Sequence, residues 1–456
     1  TNRSAVEKIK SSLTGDDLLT IIYTSGTTGN PKGVMLKHSN IMHVIMTTAD
    51  LIPIGPGEKT ISFLPMCHIY ERAVSFAYYY KGYSVHYCGT DTLSGPQGDL
   101  ASVKPVGFTT VPRLLEKVYE AIYNKGLGLT GIKRSLFFWA LSLTDDFALD
   151  KKRTLPERLK WAVADRLVFS KWREALGGNL RVIFTGAAPC PVKILRVFCA
   201  AGISIREGYG LTETAPTLTM NTYEPGGAML GTVGCAVEDV ELRIDDSSGV
   251  YDPGEGEILA HGPNVMSGYY KKPEINKQVF REIDGKTWFC TGDIGTFVKG
   301  PGGKSFLKIT DRKKELLKTS GGKYVAPAPI ENRFREDFLV EQIMVVGDKR
   351  KFVSALIVPA EEALKNWCEH KGLEWSSLQE MVNDEKLIAK YQKVVDKLNP
   401  EFSHIEQIKK FKLISSPWLP LHEDQSEAEL TPTLKLKRRV IRKKFEREID
   451  EIYAPG

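Results

Sequence analysis

The chain has 456 residues, 42% hydrophobic and 26% charged, a balance that excludes a disordered or low-complexity protein. Its length exceeds one ordinary core, so two or three domains are expected, and a net charge of +6 is mild for this size. That charge suits anionic ligands without arguing for nucleic acid. No apolar run reaches the ~18–20 residues of a membrane span, and no basic-then-apolar leader precedes the first element. The seven cysteines are odd in number and lack CxxC spacing, which points to reduced thiols rather than a disulfide framework or a zinc site.

Strand-like and helix-like segments alternate through the first ~300 residues, as in an α/β domain with buried parallel strands. Leu18–Tyr23 reads as a buried strand that runs straight into a Gly-rich loop. Arg181–Thr185 is a second strand, followed by the turn Gly186-Ala187-Ala188-Pro189 and a helix from about Pro191 to Ala201. Ile203–Arg206 repeats the arrangement, leading into Glu207-Gly208-Tyr209-Gly210. From about Val237 the texture changes to short strands and Gly/Pro turns, among them Val240–Ile244 and Gly256–Ala260. A burst of charge at Lys308–Glu315 reads as an interdomain hinge. Beyond it, Glu341–Val346 and Phe352–Val358 flank a hairpin turn, and amphipathic helices run to about Lys410. Lys435–Lys444 carries seven basic residues and no acidic one.

The loop Thr24–Gly33 carries the first clear chemistry. Its three glycines permit close backbone approach, so successive N–H groups can point into one anionic cavity. Thr24, Ser25, Thr27 and Thr28 add hydroxyl donors, and Lys32 adds positive charge. It is not a Walker A loop, because Gly33 follows Lys32 where Ser or Thr is required. By composition alone, a flexible Gly/Thr turn with a surface lysine fits equally well.

The full string Thr24-Ser25-Gly26-Thr27-Thr28-Gly29-Asn30-Pro31-Lys32-Gly33 resembles the AMP-binding signature of the acyl-adenylate-forming superfamily. Four further motifs follow in that family's order: Glu207–Thr214, Thr291-Gly292-Asp293, Asp311–Glu315 and Leu430–Arg438. The resemblance implies a large α/β N-terminal domain over 1–310, a hinge at 311–315 and a smaller, mobile α+β C-terminal domain over 316–456. Family members place a sizeable subdomain ahead of the phosphate loop, so the N-terminal domain is expected to be truncated here and short of strands.

The roles that the resemblance implies make physical sense one by one. A carboxylate is a poor electrophile and must be activated by attack on the α-phosphorus of ATP. Two anions then approach each other, so the site needs positive charge and oriented donors. Tyr209 would stack on adenine, with Gly186, Glu207 and Gly208 lining the base pocket and Thr212 at the phosphate. Glu213 and Thr24 would hold Mg²⁺, which prefers oxygen ligands and bridges phosphates. Asp293 would accept from the ribose diol, and Arg312 would supply a planar donor fork. Lys435 is the expected catalytic lysine of adenylation, although Leu434 stands where the family usually has Gly. Lys443 and Lys444 fit a solvated helix face or a contact with anionic membrane better than they fit catalysis. For the second half-reaction the C-terminal domain would pivot at Lys314, with Lys318 near nucleotide and Gly321, Gly322 and Tyr324 on the coenzyme A side.

Leu64–Arg72, Val111–Lys117 and Lys318–Pro327 resemble long-chain acyl-CoA synthetases, with His68 between adenylate and acyl chain. The implied substrates are a long-chain fatty acid, ATP with Mg²⁺, and coenzyme A. The implied location is cytoplasmic, with peripheral contact at the inner membrane surface. An acyl-carrier-protein acceptor, a basic nucleic-acid-binding module and a silent ATP-binding regulator are the rival readings; the nucleic-acid reading lacks interleaved aromatics and a matching motif.

Overall fold

A computed structural model describes residues 2–24, 31–89, 93, 95, 97–251, 253–372, 374–422, 424, 426–431 and 434–454. The chain forms two compact units. The first comprises Thr1–Pro112 and Leu129–Ile309, the second Arg113–Gly128 and Thr310–Gly456. The second unit thus begins close to the expected boundary at 310 but also includes 113–128, which the sequence had placed in the N-terminal domain.

In the first unit, Val182–Thr185 is buried at all four positions, the continuous apolar pattern of a strand covered on both faces. It lies in the middle of a seven-stranded sheet. The order is Ser84–Tyr87, Lys59–Ser62, Gly107–Thr110, Val182–Thr185, Ser204–Gly210, Thr217–Met220 and Cys235–Ala236. Pairing is parallel as far as Ser204–Gly210 and antiparallel beyond it. The sheet expected to be short of strands holds these seven among the described residues. Two expectations shift. Glu207–Gly210 lies within the strand Ser204–Gly210 rather than in a loop after it.

Leu18–Thr24 is not a buried parallel strand but one arm of an antiparallel hairpin with Lys32–Lys37, to which Gly268–Tyr269 adds a third strand. Only one face of that hairpin meets a core, so Ile22 is buried while Tyr23 is exposed. Thr24 pairs with Lys32, so the Gly-rich loop closes the hairpin. A third group of strands, Glu241–Asp245, Gly256–His261, Lys286–Lys299 and Phe280–Ile283, pairs antiparallel in that order. Ser305–Arg312 then carries the chain from the first unit to the second.

The second unit is built on strands Val340–Val346 and Ser354–Pro359, antiparallel, with Phe411–Leu413 parallel to the latter. Side chains alternate between the faces of a strand. Ile343, Val345, Ala355 and Ile357 accordingly meet helices Pro327–Phe334 and Glu385–Leu398. Met344, Val346, Leu356 and Val358 meet Trp418, Ile441 and Ile452 on the opposite face. The expected hairpin and amphipathic helices are present. Because Leu356 is wholly buried in that second layer, Leu356→Ala should cost about 2–5 kcal/mol. The cost should read as a lowered urea midpoint for unfolding of the second unit, with the slope unchanged.

Candidate active site

Three of the expected motifs lie at the carboxyl ends of the parallel strands, where open α/β sheets place their ligands. Gly186 follows Val182–Thr185, and its N–H donates to the Thr110 carbonyl at 3.4 Å. The next residue, Ala187, has φ +68°, a left-handed conformation in which glycine would be unstrained. His68 follows Lys59–Ser62 and starts the helix Ile69–Lys81; it is half-buried, and its carbonyl accepts from the Arg72 N–H at 3.1 Å.

On the strand Ser204–Gly210, the alternation of side chains turns Glu207 and Tyr209 to one face and leaves glycine at 208 and 210. A Cβ on Gly208 would lie 2.6 Å from the Phe184 ring and 3.0 Å from the Thr219 carbonyl oxygen. On Gly210 it would lie 1.5 Å from the Pro216 carbonyl oxygen, which is backbone and cannot move aside. Thr212 and Glu213 sit on the short turn Thr212–Thr214 that follows. This turn is fixed by the Thr214 hydroxyl, which accepts from the Leu211 N–H at 2.9 Å and donates to the Pro216 carbonyl at 2.8 Å.

Asp293 is positioned by a bulge. Glu257 pairs with Ile294 and Leu259 with Cys290, so Thr291, Gly292 and Asp293 together face one residue of the partner strand. Gly292 takes φ +74°, and its N–H donates to the buried Glu257 at 3.2 Å. Asp293 is buried rather than a surface turn cap, and it accepts a 2.8 Å hydrogen bond from the Tyr209 hydroxyl, 84 residues away. Tyr269 makes a second link: its hydroxyl donates to Glu213 at 2.7 Å, and the Lys32 ammonium stands 5.1 Å above its ring. Tyr269 thus joins Lys32 to Glu213, and a separate hydrogen bond joins Tyr209 to Asp293. Ser25, Gly26, Thr27, Thr28 and Gly29 lie outside the described residues.

The hard carboxylate of Glu213 suits Mg²⁺, and among the described residues no set of three His, Cys, Asp or Glu side chains forms a metal cage. An ion held by one or two carboxylates and substrate phosphates is the usual manner of Mg²⁺.

Sequence reasoning missed Tyr269, which has no motif of its own and reaches the site only because Gly268–Tyr269 pairs with Met35 and Val34. It also gave Glu71 no role. That carboxylate is buried in the first turn of the His68 helix and accepts from the hydroxyls of Ser62 and, at 3.3 Å, Thr109. Burial pushes its pKa up to about 7, against the opposing pull of both hydroxyls.

In the second unit, Leu430 is bridged to Leu436 and the Thr431 N–H donates to the Lys435 carbonyl at 2.8 Å; Pro432 and Thr433 lie outside the described residues. Lys435 therefore precedes the helix Arg438–Lys444 rather than lying on it. Leu434 has φ +61°, which gives a physical reason for the usual glycine there. Arg438 is anchored by both oxygens of Glu331 at 2.7 Å and by Glu315 at 3.0 Å. The basic cluster is largely paired: Lys444, exposed on its helix, binds buried Glu429 at 2.6 Å, and Arg439 binds Glu427 at 3.3 Å.

Arg312 follows Asp311, whose carboxylate accepts the Arg312 N–H at 2.6 Å and which burial pushes up to about 7. Lys314 is exposed. Gly321 and Gly322 lie in the turn between Leu317–Lys318 and Tyr324–Val325, where the Lys318 ammonium stands 5.2 Å above the Tyr324 ring.

Residues 2–270 match the family AMP-binding enzyme, and residues 314–455 match the AMP-binding enzyme C-terminal domain. The chain belongs to the AMP-binding enzyme family. A long-chain-fatty-acid–CoA ligase of Mycobacterium bovis, FadD15, is 37% identical across 97% of this chain and 70% of its own length. Human long-chain-fatty-acid–CoA ligase 6 is 35% identical, with 96% of this chain matched to 61% of the human one.

Among solved structures, the adenylation domain of a Mycobacterium chelonae carboxylate reductase superposes with a TM-score of 0.70 at 23% identity, covering 97% of this chain and 61% of that one. O-succinylbenzoate coenzyme A synthetase from Bacillus subtilis, in complex with ATP and magnesium, gives 0.60 at 21% identity, covering 91% and 69%. Both establish the acyl-adenylate-forming fold of this AMP-binding enzyme.

Glu207 gives a test of the base-pocket geometry. Its carboxyl is buried, accepts only weakly from the Cys190 N–H at 3.2 Å, and is pushed up to about 8 by that burial. The native state therefore keeps a proton that the unfolded chain has released above ~4.3. This contribution to stability is fully present below the unfolded pKa and is lost as pH rises toward 8. Glu207→Gln should flatten the fall in urea midpoint between pH 5 and pH 8; an unchanged slope would show that Glu207 is ionised in the native state.

Proposed function

We propose that this AMP-binding enzyme activates a long-chain fatty acid with ATP and passes the acyl group to coenzyme A. The observation that supports this reading is the pair of long-range links, Tyr209 to Asp293 and Tyr269 to both Glu213 and Lys32, made where the strand Ser204–Gly210 and its following turn end. The long-chain-fatty-acid–CoA ligases that match nearly the whole chain supply the substrate class.

In the first half-reaction a carboxylate oxygen forms a bond to the α-phosphorus and pyrophosphate leaves, giving an acyl-adenylate. Tyr209 holds the adenine face and Asp293 accepts the ribose hydroxyls, each oriented by the hydrogen bond between them. Lys32 and the loop hydroxyls of Thr24, Ser25, Thr27 and Thr28 neutralise the departing pyrophosphate. Glu213 and Thr24 would hold Mg²⁺, which when bound would supply further positive charge for the departing pyrophosphate. His68, at the start of its helix, orients the carboxylate. Lys435 stabilises charge at the α-phosphate, which requires the second unit to deliver it.

In the second half-reaction the thiolate sulfur of coenzyme A bonds to the acyl carbon and AMP leaves with the electron pair. A rotation about Lys314 withdraws Lys435 and presents Lys318, Gly321, Gly322 and Tyr324 to the nucleotide and pantetheine. The boundary between the two units at Ile309 and Thr310, just ahead of the expected hinge, supports this two-state use of the C-terminal unit. No described helix is long and apolar enough to cross a membrane.

Pyrophosphate release should depend on acid and coenzyme A across a chain-length series and peak at long chains. Lys435→Ala should slow adenylation about 10²–10³-fold, the scale of losing one transition-state contact. Thioester formation from supplied acyl-adenylate should persist; equal loss of both steps would overturn the two-state assignment. Glu213→Gln should weaken the Mg²⁺ dependence of turnover while leaving AMP binding intact, and unchanged metal dependence would remove Glu213 from the site.

A further inference from the structure

A surface helix in the first unit carries a feature that nothing in the ligase chemistry uses. The helix Leu155–Ala164 continues through a π turn, Asp165–Phe169, into Ser170–Ala175. Its inner face is packed through Ala164, Val168, Phe169 and Trp172. On its outer face Leu155, Leu159, Val163 and Leu167 are 72%, 64%, 46% and 43% exposed.

A four-residue step advances about 40° around an α-helix, so such a row normally winds away from one side. The π turn holds more residues per turn and takes back part of that drift between Val163 and Leu167. The result is a continuous apolar ridge rather than scattered surface leucines, and ridges of this kind mark contact surfaces.

The rim of the ridge is cationic. Lys151, Lys152, Arg158, Lys160, Arg166 and Lys171 are all exposed. Of the acids in the stretch, Glu157 caps its own helix at Thr154, at 2.7 and 2.9 Å, Asp165 is paired with Arg173 at 2.6 Å, and Glu174 lies beyond the ridge, in the last segment Ser170–Ala175. The C-terminal basic cluster offers no comparable surface, because Arg438, Arg439 and Lys444 are matched by acids.

We propose that the face Leu155–Leu167 docks on an anionic lipid surface, with the leucine ridge among the acyl chains and the Lys/Arg rim at the headgroups. An apolar stripe with basic flanks is the chemistry of interfacial helices, and the charge favours anionic lipid. A second copy of the same face would bring like charges together, which disfavours self-association. The inference is independent of the ligase reading, which it extends by placing the enzyme where a long-chain acid partitions.

The test is co-sedimentation of the full chain with vesicles of phosphatidylcholine, with and without phosphatidylglycerol. Binding should require phosphatidylglycerol and weaken with added salt. Leu159→Glu combined with Val163→Glu, and separately Arg158→Glu combined with Arg166→Glu, should each reduce binding about tenfold or more. All four side chains are exposed, so the variants should fold, and pyrophosphate release with a soluble acid should be unchanged. Lys443→Glu should bind like the parent.

Absence of binding by the parent would overturn the proposal, as would equal binding by all variants or a loss in Lys443→Glu matching that of the ridge variants. A dimer seen by light scattering and abolished by the leucine substitutions would also overturn it, assigning the ridge to a second copy. A parent that binds vesicles yet forms no acyl-adenylate would leave this inference standing and remove the ligase reading.

Discussion

The backbone of Ser204–Gly210 passes too close to its neighbours to carry side chains at 208 and 210, and most of the first unit's site follows from that constraint. A Cβ at Gly210 would overlap the Pro216 carbonyl, and one at Gly208 would strike Phe184. With those two positions bare, the sheet can change from parallel to antiparallel pairing at this strand. The same strand then presents Glu207 and Tyr209 and ends in the turn that carries Thr212 and Glu213. The glycines are therefore required by packing as well as by any nucleotide.

The first unit also holds two carboxyls that burial shifts toward the neutral form: Glu207 is raised to about 8 and Glu71 to about 7. A protonated carboxyl can donate a hydrogen bond where a carboxylate cannot. It also adds no negative charge where a triphosphate and a fatty carboxylate must already meet. The dry setting that raises these groups is the one in which oriented donors act most strongly on developing charge.

In the second unit Lys435, the proposed catalytic lysine, owes its setting to two unlike devices. Leu434 takes a left-handed turn that costs an L-residue about 1–2 kcal/mol, and this sets the direction of the chain entering Lys435. Three residues later Arg438 is locked by Glu315 and Glu331, and Glu331 also accepts the Val345 N–H at 2.7 Å. The lysine turn is thereby bound to the segment just after Lys314 and to the central sheet, so it can move only with the unit as a whole. The density of cations in this stretch is explained by acids that are distant in sequence.

Local patterns in the sequence determined a good deal. The glycine and hydroxyl run at Thr24–Gly33, the ordered motifs and the 2- and 3.6-residue periodicities carried the fold class and the family. Strand and helix preferences depend on near neighbours, and a motif is a near-neighbour object. Tertiary structure alone decided that Leu18–Thr24 belongs to an antiparallel hairpin, because hairpin pairing and partial burial are set by what packs behind the strand. It alone recruited Tyr269 to Glu213, turned Asp293 inward on a bulge toward Tyr209, and paired Lys444 with Glu429. Each of these depends on a partner brought close by folding, and neither residue of such a pair carries in its own local sequence any mark of the other.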